Sequence, residues 1–113
     1  MTDHELDAWL GDTDATDAQR AALQDAAYTI TRRYPDPDLA DDREQALTAA
    51  AQVILGDATL EEHVDAWRAA RRIETERHAA MTGALIATGG TEVGLAARAG
   101  LTRMTVRKAL GKR

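Results

Sequence analysis

A single glycine, Gly100, separates two short segments near the carboxyl end whose apolar residues both recur at helical spacing. A chain that leaves one helix and enters another within a few residues needs a left-handed backbone conformation, which glycine adopts at little cost. Thr91 and Thr102 occupy capping positions for helices over residues 92–99 and 102–111. Two helices this short and this tightly joined cannot splay far apart. Their predicted inner-face residues are Leu95, Ala96, Ala99, Leu101, Val106 and Leu110.

Helical signals also cover the rest of the chain, and no segment shows convincing strand alternation. Thr16 and Thr59 each have a Gln or Glu three residues further on, which is the spacing of a capping box. The helix that begins at Thr59 meets no breaker before Gly83 or the glycine pair at 89–90, so it would run for roughly 25 to 30 residues, or about 40 Å. The other predicted helices are residues 3–10, Thr16 to Tyr34, and Asp38 or Asp41 to Leu55.

The long fourth helix carries two apolar stripes that serve different ends of the chain. The stripe expected to pack on the amino-terminal helices is Leu60, Val64, Trp67, Ala70 and Ile73. The stripe expected to pack with the carboxy-terminal helices is Met81, Leu85 and Ile86. We therefore predict an all-α fold, in which a helical body at residues 1–75 is connected by the long helix to a tri-helical helix-turn-helix at residues 76–113, without a wing.

Charge divides the chain in a similar way. Residues 1–62 carry 15 acidic and 4 basic side chains, a net charge of −11, whereas residues 63–113 carry 4 acidic and 10 basic side chains, a net charge of +6. Such an asymmetry indicates a polyanion-facing end and a separate acidic body. Two protein surfaces that contact only solvent, without any ligand, would carry the same numbers of charged residues.

The residue types present exclude several kinds of chemistry. The chain has neither cysteine nor serine, which removes disulfides, thiolate metal sites and the commonest nucleophilic triads. The three histidines are scattered, and only His78 has a potential ligand, Glu74, one helical turn away, so we expect no metal site. We expect no enzymatic activity and no cofactor. Because no segment has the pattern of a membrane span or a leader peptide, we expect a cytoplasmic protein.

Two overlapping stretches of the carboxy-terminal segment resemble DNA-binding helices of known families. The first is the run Leu95-Ala96-x-x-Ala99-Gly100-Leu101-Thr102-x-x-Thr105-Val106-x-x-x-Leu110, which resembles the helix-turn-helix of bacterial repressors of the lactose-repressor type. The second, residues 102–110, is similar to the recognition helix of gluconate-repressor-type winged regulators. The resemblance implies binding to double-stranded DNA through the major groove. It covers neither residues 1–58 nor the effector domain of either family.

Position by position, the resemblance implies a set of DNA contacts. Arg103 and Arg107 lie one turn apart, and each could bind a guanine bidentately, for about 1 to 3 kcal/mol of discrimination. Thr105 and Thr102 suit phosphate contacts or helix capping. The residues expected to face the groove are Thr102, Arg103, Met104, Arg107 and Lys108. The residues expected to anchor phosphates are Arg98, Lys112 and Arg113. A basic helix at a chain end can also be a solvated terminus without a ligand.

We predict a small bacterial transcription regulator of the repressor type. Since one helix-turn-helix reads few base pairs, we expect a homodimer, joined through residues 3–75, that reads two half-sites about 34 Å apart. Two alternatives remain open: a plasmid or phage DNA-maintenance accessory factor, and a protein-interaction adaptor that binds a basic partner through the acidic body. The candidate dimer contacts, each of which could instead belong to the monomer core, are Trp9, Tyr28, Ile30, Val64 and Trp67.

Overall fold

The computed structural model describes residues 1–112, which contain six α-helices and no strand. The helices are α1 (Asp3–Leu10), α2 (Asp17–Arg33), α3 (Ala40–Leu55), α4 (Leu60–Thr88), α5 (Glu92–Ala99) and α6 (Arg103–Ala109). A 3₁₀ turn at Pro37–Leu39 precedes α3. The predicted all-α class is confirmed for the described residues. None of their helices is both long enough and apolar enough to cross a membrane.

Threonines and glycines set most of the helix ends. The Thr16 hydroxyl accepts a hydrogen bond from the Gln19 amide at 3.1 Å, and the Gln19 side chain accepts one from the Thr16 amide at 2.9 Å, which completes a capping box. The Thr59 hydroxyl accepts from the Glu62 amide at 3.2 Å. Gly100 ends α5 with a φ of 68°, in the left-handed region. These ends agree with the sequence predictions, because caps and breakers act over only a few residues.

Contacts divide the chain into two units, Met1–Asp65 and a second that begins at Ala66, and the division falls inside α4. We call them the amino-terminal and carboxy-terminal units. The functional boundary predicted at residue 75 stays a prediction. In the amino-terminal unit α2 packs against α3, and the Gln19 amide group donates a 3.4 Å hydrogen bond to the Ile54 carbonyl. No residue of α3 is fully buried. The buried residues of this unit are Leu6, Leu23 and Ala27.

The carboxy-terminal unit has one core, shared by the last turns of α4 and by α5 and α6. Its buried residues are Leu85, Leu95, Ala96, Val106 and Ala109, with Met81, Leu101 and Leu110 packed at the edge. Two expectations for this core are wrong. Ile86 is 65% exposed because it follows Leu85 directly and therefore points about 100° away around the helix. Ala99, the last residue of α5, is also exposed, and Ala109 on α6 is buried in this core.

The apolar stripe on the first half of α4 does not pack as expected. Trp67 is 59% exposed, and every residue from 66 to 80 is exposed, Ala70 and Ile73 included. At the start of the helix Leu60 is exposed and only Val64 is partly buried. Helical spacing places these side chains on neighbouring faces of α4, but it does not provide an element that covers them. Within the amino-terminal unit the expected burial is therefore wrong for Leu60, whereas Val64 is partly buried. Trp67, Ala70 and Ile73 belong to the carboxy-terminal unit and are exposed.

Two glycine substitutions should change stability in opposite directions. A Cβ at Gly100 would meet no atom within 4 Å, so Gly100→Ala should cost only the left-handed conformation, about 1 to 2 kcal/mol. Gly83 lies inside α4, also with open space, so Gly83→Ala should stabilise the protein by about 0.5 to 1 kcal/mol. Chemical denaturation of both variants measures the two free energies of unfolding. A Gly100→Ala variant that is as stable as wild type, or more stable, would contradict the left-handed turn.

Candidate nucleic-acid interface

Helix α6 has two different sides. Val106 and Ala109 are buried in the core of the carboxy-terminal unit. Arg103, Met104 and Lys108 are exposed on the same helix of 7 residues. The exposed side of this short helix therefore carries the positive charges of Arg103 and Lys108 beside the apolar side chain of Met104. This is the side that the sequence predicted to face a DNA groove.

Thr102 and Thr105 together form the amino-terminal cap of α6. The Thr102 hydroxyl accepts a hydrogen bond from the Thr105 amide at 3.1 Å, and the two hydroxyl oxygens lie 2.9 Å apart. Both side chains are exposed. Of the two roles left open by the sequence, the structure therefore places both threonines in the cap, and a phosphate contact would have to share these hydroxyl groups.

Three of the predicted DNA-contacting cations surround one carboxylate, that of Glu92 in the first turn of α5. The Arg103 Nε donates to Glu92 Oε2 at 3.3 Å, and the Arg107 Nη1 lies 3.6 Å from the same oxygen. The Lys112 Nζ lies 3.6 Å from Glu92 Oε1. We call these four residues the Glu92 cluster. It joins the start of α5 to both ends of α6.

The surroundings of Glu92 keep it ionised. Its side chain is only 15% exposed, and partial burial alone raises the pKa of the carboxyl. The hydrogen bond from Arg103 and the charges of Arg107, Lys112 and Arg103 lower that pKa by more, so the net value lies below the ordinary one. Since the pKa of Glu92 is lowered in the folded state, the ion pairs of this carboxylate stabilise the fold at neutral pH. That stabilisation is lost as the pH falls through the lowered pKa.

Sequence reasoning did not identify Glu92 as part of this surface. A signal was available, because Glu92 is the sole acidic residue between residue 77 and the end of the sequence. A single carboxylate in a segment with several cationic residues is expected to form an ion pair with one or more of them. The answer depends on how α5 and α6 cross, since Arg103 is 11 residues away along the chain.

The remaining predicted contacts lie outside the Glu92 cluster. Arg98 is exposed in the last turn of α5, where the helix dipole favours a cation. Lys108 and Arg98 form no ion pair with any residue that the structure describes. Arg113 lies outside the described residues. No group of three or more potential ligands among residues 1–112 could hold a metal ion.

A second candidate surface is an apolar groove in the amino-terminal unit, between the end of α3 and the start of α4. Val53 and Leu60 are 43% and 65% exposed along it. We call it the α3–α4 groove, and its lining residues are Ala49, Ala50, Val53, Ile54, Leu60 and His63. Exposed apolar surface of this kind on an otherwise acidic unit is typical of a site that contacts another protein.

The candidate dimer contacts fall into two groups. Trp9, Tyr28 and Trp67 are exposed, so they do not belong to a buried core of the single chain. Ile30 and Val64 are partly buried.

Comparison of the chain with protein-family profiles, with curated proteins and with solved structures finds no match.

Proposed function

We propose that the protein is a sequence-specific double-stranded DNA-binding protein, a small transcription regulator of the repressor type. In this proposal α5, the Gly100 turn and α6 form a helix-turn-helix, and α6 enters the major groove. The observation that carries it is the division of α6, in which Val106 is fully buried while Arg103 and Lys108 face outward. The left-handed Gly100 that holds α6 against α5 supports the same interpretation.

Each cation has a proposed role. Arg103 and Arg107 read base edges, because a guanidinium can bind a guanine through two parallel hydrogen bonds. Met104, which is exposed between them, supplies apolar contact in the groove. Phosphate contacts set the register and most of the affinity without reading sequence. Lys108, which is exposed on α6, also faces the groove in this proposal. The residues proposed to make phosphate contacts are Arg98, Lys112 and Arg113.

We further propose that the protein binds DNA as a homodimer, with a second copy seated in the α3–α4 groove. The amino-terminal unit has only three buried residues, and none of them is on α3. A core this small leaves the unit marginal on its own. Covering Val53 and Leu60 with the same surface of a second copy would bury the apolar face that α3 leaves open.

Binding to a pool of random-sequence DNA duplexes, followed by sequencing of the retained molecules, tests the proposal. We expect a motif of two related half-sites whose centres lie about one helical turn, or 34 Å, apart or a multiple of it. Retention should fall steeply as salt is raised, because phosphate contacts release bound counterions. Retention without any motif would reduce the function to charge-driven binding, and no retention at all would contradict it.

One alternative has specific support. The net charge of −11 on residues 1–62 and the α3–α4 groove suit an adaptor that binds a basic protein through the amino-terminal unit. That function requires no DNA binding, so the same pool experiment separates the two. A DNA-maintenance role in a plasmid or phage would give the same motif as transcriptional control, and the position of the motif in a genome would distinguish them.

A further inference from the structure

The Glu92 cluster places a full negative charge on the surface that is proposed to meet a polyanion. The carboxylate lies within 3.3 to 3.6 Å of one nitrogen each of Arg103, Arg107 and Lys112. Without this carboxylate, the three cations would attract the negatively charged DNA more strongly. Its presence therefore reduces the part of the binding that depends on charge alone.

The same contacts restrict two side chains that are proposed to read bases. Arg103 and Arg107 approach the same carboxylate oxygen, Glu92 Oε2, so one acceptor lies within ion-pair distance of both guanidinium groups. An isolated ion pair on an exposed surface contributes little. Here the shared carboxylate is partly buried, with 15% of its side chain exposed, and it pairs with three cations rather than one. Side chains held in one orientation before binding lose less conformational entropy when they bind.

We propose that Glu92 is a positioning residue that determines the sequence specificity of the DNA-binding surface. It orients Arg103 and Arg107 for base contacts, and its charge opposes binding through phosphates alone. This inference rests on the proposed DNA-binding function. It accounts for the placement of an acidic residue in the first turn of α5, in contact with Arg103 at the start of α6 and Arg107 in its last turn.

The test compares Glu92→Gln with Glu76→Gln, a matched control that removes the same charge from an exposed position on α4. Affinity is measured by fluorescence anisotropy for a duplex selected from the random pool and for an unselected duplex, from about 50 to 200 mM salt. Over that range Glu92→Gln should lose roughly threefold more affinity than wild type, because one more cation becomes available to phosphates. The ratio of selected to unselected affinity should fall, while Glu76→Gln should match wild type.

Glu92→Asp separates orientation from charge and retains a carboxylate at the start of α5. It should keep the salt dependence of wild type but lose discrimination, because the shorter side chain cannot reach both guanidinium groups. Suppose that wild type discriminates between the two duplexes and that Glu92→Gln equals Glu76→Gln in both salt dependence and discrimination. This result would overturn the inference about Glu92 and leave the proposed DNA-binding function standing. Full discrimination by Glu92→Asp would overturn the orienting role. A wild type that binds neither duplex would overturn the proposed function and this inference with it.

Discussion

Replacing Arg107 with alanine is expected to lower affinity for the selected duplex by about 5- to 150-fold per half-site, which is the loss of one bidentate base contact of about 1 to 3 kcal/mol. Arg107 lies on α6 one residue after the buried Val106, with its side chain 33% exposed and held near Glu92. Under the proposed function, Arg107 reads one base pair in each half-site. The preference at one position of each half-site should therefore relax, and sequencing of the pool retained by the variant measures that change.

Arg98→Ala is the matched control, because it removes the same type of side chain from α5. As a phosphate contact, Arg98 should contribute to affinity for selected and unselected duplexes alike. Its removal should reduce the slope of log affinity against log salt by about one and leave the motif intact. If Arg107→Ala behaved as Arg98→Ala does, with equal losses on both duplexes, Arg107 would be a phosphate contact and not a base-reading residue.

The helices themselves could be predicted from the sequence because their ends are set locally. The cap at Thr16 involves atoms three residues apart, and the turn at Gly100 requires one left-handed residue. The outward side of α6 followed from the same local geometry. Once Val106 faces inward, the 100° step of an α-helix places Met104 and Lys108, two residues to either side, on the opposite face.

Packing could not be predicted in the same way. Trp67, Ile73 and Ile86 all lie on apolar stripes, and all three are exposed in the single chain. Periodicity determines which side chains share a face, but it contains no information about whether another element covers that face. The Glu92 cluster shows the same limit for the site, because it depends on the crossing of α5 and α6 and not on any spacing within one helix.

Substituting Val53 with aspartate is expected to break the proposed homodimer. It should lower affinity for the two-half-site duplex by about 10²- to 10⁴-fold, the usual gain from joining two binding modules. Val53 is 43% exposed in the α3–α4 groove, so the substitution leaves the buried residues of the amino-terminal unit unchanged. It places a charge where a second copy would bring apolar side chains, and a buried charge without a partner is costly. Sedimentation of the free variant and titration of the duplex measure both effects.

Thr29→Asp provides the control, since it adds the same charge at an exposed position of α2. It should leave the dimer and the affinity close to those of wild type. Salt gives an independent check. Residues 1–62 of each copy carry a net charge of −11, so added salt should screen the repulsion between two copies and strengthen the dimer. The same salt should weaken DNA binding. A wild type that sediments as a monomer at micromolar concentration, both free and on DNA, would contradict the dimer. In that case Val53→Asp and Thr29→Asp should bind DNA equally well.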